Sequence, residues 1–203
     1  MDAAMRDYYE QRAPEYDDWW LGTGLFAKRE RPGWHEDVAA LQASLAALPP
    51  ARTLDVACGT GFLTRHLPGE VTGLDQSSAM LGVAGARVPG ATFVHGDALD
   101  PPFAPGSFER VHAGHFYGHL TEEQRAGFVE VAARLAGELV ITDSALRPDG
   151  EAEAWQERRL GDGTSHRVYK RWFTAEGLAA ELGGGETVHD GPWFVSVRLS
   201  PRS

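Results

Sequence analysis

From Thr53 onward the chain alternates short apolar runs with longer amphipathic ones. Residues 53–57 (TLDVA), 70–75 (EVTGLD), 91–97 (ATFVHGD), 108–113 (FERVHA) and 138–143 (ELVITD) have the length and side chains of strands. The segments between them have helical period. Ser77 is placed to cap SAMLGVAGARV, and Thr121 with Gln124 makes a capping box ahead of EQRAGFVEVAARLA. Short apolar strands separated by helices predict a parallel sheet covered on both faces. A later helix, AEGLAAEL, follows Thr174. ETVHDGPWFVSVRLS then reads as two strands joined at Asp190–Gly191–Pro192, an antiparallel pair at the sheet edge.

The first fifty residues are helical in pattern. AAMRDYYEQRA stops at Pro14, and PGWHEDVAALQASLAAL starts with Pro32 in the favoured first position and ends at Pro49–Pro50. No linker, repeat or low-complexity tract divides the chain. The expectation is one domain over 1–203, with 1–50 a helical cover and 51–203 an α/β core. The cover is unusually aromatic: Tyr8, Tyr9, Tyr16, Trp19, Trp20, Phe26 and Trp34. These rings either pack the helices onto the sheet or wall a site for flat ligands, Tyr16 being the chosen pocket residue.

At 203 residues the chain can bury a core without disulfides, and its single cysteine, Cys58, excludes an internal disulfide and an all-cysteine metal cage. A net charge of −10 argues against a nucleic-acid substrate. The basic run RVYKR at 167–171 reads as a solvated strand face. The N-terminus lacks a signal-like apolar stretch, and no run approaches the roughly 20 apolar residues needed to span a bilayer. The expectation is a cytoplasmic protein, monomer or homodimer, without membrane or nucleic-acid partners.

The chemistry gathers in LDVACGTGFLTRHLPGEVTGLD, residues 54–75. In an open α/β sheet, ligands bind beyond the carboxyl ends of the strands, where strand order reverses. Gly59 and Gly61 follow the first strand, and Asp75 ends the second, where a carboxylate can accept from two ribose hydroxyls. A dinucleotide fingerprint would need a third glycine where Thr64 stands. That disfavours a nicotinamide-dependent oxidoreductase and leaves a nucleoside without pyrophosphate, S-adenosylmethionine.

LDVACGTG resembles the first motif of class I S-adenosylmethionine-dependent methyltransferases, with Ala57 where many members have glycine. VTGLDQSSAML resembles the second-strand motif, FVHGDALDPPF the third, and GSFERVHAGHFYGHL occupies the fourth-strand position. YYEQRAPEYDDWW is similar to the N-terminal segment of small-molecule members. The resemblance implies a Rossmann-like, doubly wound sheet of seven strands, mostly parallel with an antiparallel C-terminal strand. It also implies methyl transfer to a small organic acceptor on oxygen or nitrogen. The cofactor residues it implies are Tyr16, Asp55, Ala57, Gly59, Gly61, Asp75, Gln76, Asp97, Ala98 and Ala113.

Two readings stand for Asp55: a cap on the glycine turn, or a contact through water to the methionine amino group. DPPF at 100–103 is similar to an adenine-methyltransferase signature but follows the third strand instead of the fourth, so it reads as a stiff loop. His112, His115 and His119 have metal-like spacing, yet strand and glycines break a common helix, and no metal is expected. His115 or His119 either takes the acceptor's proton as a neutral imidazole or shapes the loop by bonding backbone carbonyls. Trp155, His166, Tyr169 and Trp172 fall in the segment that in this family often completes the acceptor pocket. A non-catalytic S-adenosylmethionine-binding protein is the remaining alternative.

Overall fold

The computed structural model describes residues 3–200. Seven strands form one sheet in the order β3-β2-β1-β4-β5-β9-β8. They are β1 (Ala51–Val56), β2 (Gly69–Asp75), β3 (Thr92–His95), β4 (Arg110–Gly114), β5 (Glu138–Ser144), β8 (Glu186–Asp190) and β9 (Phe194–Leu199). β1 pairs in parallel with both β2 and β4, so the order reverses there, while β9 runs antiparallel to both its neighbours.

Strand pleating sorts the core into two layers. Leu54, Val56, Leu139, Ile141, Val195 and Val197 face α5 (Glu122–Leu135) and α6 (Ala175–Glu181). Val71, Val140 and Phe194 face α3 (Trp34–Ala46), which presents Val38, Leu41 and Leu45. The predicted caps form: Ser77 accepts from the Met80 amide ahead of α4 (Ser78–Arg87), Thr121 and Gln124 make the full capping box, and Thr174 caps α6.

The start of α3 departs from expectation. Gly33, at φ 72°, is the N-cap and Trp34 the first helical residue, so Pro32 precedes the helix. Glycine alone enters that left-handed conformation without cost, and it sets the helix start. Before α3 the chain forms α1 (Ala3–Arg12) and α2 (Asp18–Leu21) with short 3-10 turns between.

A second sheet was not anticipated as such. β6 (Glu153–Arg159) and β7 (Ser165–Arg171) form a separate hairpin. Its Leu160 and Val168 pack on Met5 and Tyr8 of α1. The run at 167–171 is not wholly solvated: Lys170 is buried and ion-paired with Asp143 at the end of β5. No helix among the described residues is long and apolar enough to cross a membrane.

Candidate active site

Where β1 ends, the chain turns through Ala57 at φ 51° and Gly59 at φ 55°. A left-handed alanine costs about 1–2 kcal/mol relative to its ordinary conformation, so the turn holds Ala57 where glycine would be free. Asp75 anchors this turn: one carboxylate oxygen accepts the Gly59 amide at 2.9 Å and the other the Ser77 amide at 2.8 Å. Burial pushes its carboxyl above the usual carboxylate range, against the pull of those two amides. Each oxygen keeps a lone pair for a ligand hydroxyl.

Around this turn lies a cavity at the carboxyl ends of the strands. Of the residues the sequence singled out, Tyr16, Ala57, Gly59, Asp75, Gln76, Ala98, His115 and His119 line it. Four expected cofactor residues stand off the wall. Asp55 is buried beneath, accepting from Thr64 Oγ1 at 2.5 Å and bonded to His112 Nδ1 at 2.7 Å; it neither caps the glycine turn nor faces the cavity. Strand alternation turns it to the α3 side, where His112, Thr142 and Ser196 continue a polar row across the sheet. Asp97 accepts the Leu99 amide at 2.9 Å, closing its own turn. Gly61 packs toward Ala84 of α4, and Ala113 is fully buried in the core.

Gly96 and Gly114 line the cavity beside the latter two sequence motifs, each one residue from the position expected. Arg6 and Tyr9 of α1, Ser77, Met80 and Phe116 complete it. Arg6 and Tyr9 are one helical turn apart, a spacing that could have flagged them.

A second, larger chamber adjoins the first, and Tyr9, Tyr16, His115 and His119 line both. These four rings mark the boundary. His119 Nδ1 donates to the Tyr169 carbonyl at 2.7 Å, which leaves Nε2 to accept from the Tyr9 hydroxyl at 3.1 Å. The His115 ring is walled by Trp19, Trp20 and Phe194, and its Nε2 is enclosed with no hydrogen-bond partner among the described residues. Burial drives the His115 imidazole down to about 3 and that of His119 well below its ordinary value. Both are therefore neutral, and neither offers a free, strongly basic nitrogen. His119 bonds a backbone carbonyl, as the loop-shaping alternative expects. Burial also raises Tyr9 and Tyr16, which keep their protons.

His112 is committed to Asp55 and Thr142, apart from the other two histidines, and no group of three metal-ligating side chains occurs among the described residues. Of the later aromatic residues, Trp172 lines the second chamber, whereas Trp155 is exposed on the hairpin. Cys58 is a free thiol that burial pushes well above its ordinary range.

The strand order, the glycine turn at the point of reversal and the strand-ending acid define a Rossmann-like nucleoside-binding protein. Residues 53–137 match the family model for a methyltransferase domain. An uncharacterized methyltransferase of Bacillus licheniformis is 31% identical over 152 residues, covering 68% of this chain and 67% of that protein. The chain belongs to the class I S-adenosylmethionine-dependent methyltransferases.

Phthiotriol/phenolphthiotriol dimycocerosates methyltransferase 1 of Mycobacterium ulcerans is 39% identical over 135 residues, 62% of this chain and 48% of that protein. The chain thus spans about half the length of the first curated relatives it matches. Among solved structures, the DhpI–SAM–HEP complex superposes with a TM-score of 0.77 at 25% identity, covering 98% of this chain and 96% of that one. The family's cofactor is S-adenosylmethionine, and the first cavity suits it. Asp75 and Gln76 offer a polar end, Met80, Ala98 and Phe116 apolar walls, and the ring boundary opens toward the second chamber.

Proposed function

We propose that this protein transfers the methyl group of S-adenosylmethionine to a small organic acceptor, on oxygen or nitrogen. The observation that carries the reading is the pair of adjoining cavities sharing Tyr9, Tyr16, His115 and His119, one built on the Asp75 turn and the other lined by the N-terminal segment and the hairpin. Bound there, the cofactor supplies an electrophilic methyl group on a sulfonium that leaves without protein assistance. The protein's share is then orientation and proximity. Asp75, Gly59 and Gln76 hold the nucleoside end, while the Tyr9 and Tyr16 rings close over it and restrict water. An acceptor entering the second chamber meets the first across this ring boundary. A net charge of −10 and this enclosed junction support a small acceptor over nucleic acid.

Calorimetry tests the assignment. S-adenosylhomocysteine should bind and NAD should not. Hydrogen bonds to a charged group are worth about 1.5–3 kcal/mol each, so Asp75→Ala, losing two, should weaken binding by roughly two to four decades. Unchanged affinity in that variant would remove Asp75 from the site. Tight NAD binding would restore the oxidoreductase reading.

A further inference from the structure

In a chain of net charge −10, seven cationic side chains and only two carboxylates line the second chamber. Six of the cations are Arg12, Arg29, Arg31, Arg147, Arg158 and Arg159. Elsewhere arginines commonly sit in ion pairs, such as Arg87 with Asp17, Arg110 with Glu138 and Arg125 with Glu181. None of these six has a carboxylate within 4.0 Å among the described residues. Their partners are neutral. Arg12 bonds the Tyr8 hydroxyl, Arg31 the Trp19 carbonyl at 2.9 Å, Arg158 the Gln156 amide oxygen at 3.1 Å, and Arg159 the Gly163 carbonyl at 3.3 Å. Arg29 lies over the Phe26 ring and Arg147 over Trp193.

Arg12 makes the case sharpest. It is only 7% exposed, yet no carboxylate pairs with it among the described residues. A buried cation is normally paired. Arg158 stands near the ring boundary, where its charge bears on Tyr9, His115 and His119. Of the two carboxylates, Glu15 accepts the Gly161 amide at 2.9 Å and keeps its charge, and Glu157 is exposed, as are Arg29, Arg147 and Arg159. The seventh cation, Lys170, is already neutralised by Asp143. The chamber is short of negative charge, and guanidinium groups suit planar or tetrahedral oxyanions.

We infer that the acceptor is a small organic oxyanion, a carboxylate or a phosphate or phosphonate, held by the chamber's arginines and methylated on one of its oxygens. The inference rests on the methyltransferase reading and names its substrate class. The step balances without a base: an oxyanion lone pair forms the new O–C bond, the C–S bond breaks, and its electron pair stays on sulfur. The sulfonium and one negative charge of the acceptor are both consumed, and no proton has to leave. This agrees with a boundary whose His119 Nε2 is occupied by Tyr9 and whose His115 Nε2 is enclosed.

The test uses the full chain saturated with S-adenosylhomocysteine and titrated calorimetrically with phenylphosphonate, benzoate and, as a neutral control of similar shape, benzamide. At least one anion should bind about tenfold or more tightly than benzamide, and the preferred anion tells phosphonate-type from carboxylate acceptors. Arg158→Gln and Arg12→Gln should each weaken that anion about tenfold or more, and retained S-adenosylhomocysteine binding reports that each variant folds. Arg167→Gln, exposed on β7 and outside the chamber, should change neither. Equal binding of benzamide, no binding of either anion, or indifference to both chamber substitutions overturns the inference. Failure of S-adenosylhomocysteine to bind instead defeats the methyltransferase reading beneath it.

Discussion

His115 takes φ 55° at the mouth of β4, a left-handed conformation unusual for a side chain of its kind. Its neighbours explain its protonation. Burial dominates, Asp143 pulls the other way, and Lys170, Arg158 and His112 again oppose the proton. An imidazole brought to about 3 is uncharged throughout the working range. Turnover should therefore show no acid limb near the ordinary histidine value of about 6.5 that depends on His115 or His119. The measurement is kcat for wild type, His115→Ala and His119→Ala from pH 5 to 9. A limb near 6.5 that vanishes in one variant would reinstate that histidine as the base. The cofactor arm behaves differently. Asp75 binds hydroxyls as a carboxylate and is raised by burial, so S-adenosylhomocysteine affinity should weaken on the acid side, beginning above the ordinary carboxylate range.

At the scale of elements, the β6–β7 hairpin is tied to the main sheet by a charge pair. Lys170 of β7 meets Asp143 at the end of β5, and the same carboxylate accepts the Gly118 amide at 2.7 Å. Burial opposes ionisation of Asp143, but Lys170 and the Gly118 amide together hold its carboxyl below the usual range. Removing one partner of a buried pair leaves an uncompensated charge and costs about 3–5 kcal/mol. Lys170→Met should then lower Tm by roughly 6–20 °C for a chain of this size, and the double variant with Asp143→Asn should recover much of it. Equal stability of wild type and single variant would show the pair to be dispensable.

The hairpin was also the element least legible in the sequence. Its strands are polar at most positions and only partly buried in alternation, so hydrophobic patterning is weak, although GDGT at 161–164 marks a turn. The seven-stranded sheet was legible because its central strands are buried and its helices carry caps. Ala57, Gly59, Asp75 and Gln76 reach the cavity wall, while Gly61 and Asp97 on turns and Asp55 and Ala113 on strands do not, the last two because of the way a strand side chain points. One residue of register moves a side chain to the opposite face.

Over the whole molecule, the two cavities draw on different parts. The glycine turn and strand ends build the first; the second takes its arginines from the N-terminal segment, the β5 exit and the hairpin. One short stretch spans both. Glu15 accepts the Gly161 amide of the hairpin turn, and two residues on Asp17 accepts from Thr60 Oγ1 at 2.6 Å in the glycine turn and pairs with Arg87 of α4. We predict that a nucleoside fixing the glycine turn also fixes, through this stretch, the hairpin edge of the neighbouring chamber. Such a link is a coupling free energy and must be reciprocal. S-adenosylhomocysteine should tighten binding of the acceptor by a factor on the order of 5–150, and the acceptor should tighten S-adenosylhomocysteine by the same factor. Asp17→Ala, which unfastens one end, should shrink both factors together; full coupling in that variant would mean the communication runs elsewhere. In cells such reciprocity would set a sequence of events: each ligand arrives more readily at a protein already holding the other, and free cofactor is seldom spent without something to methylate.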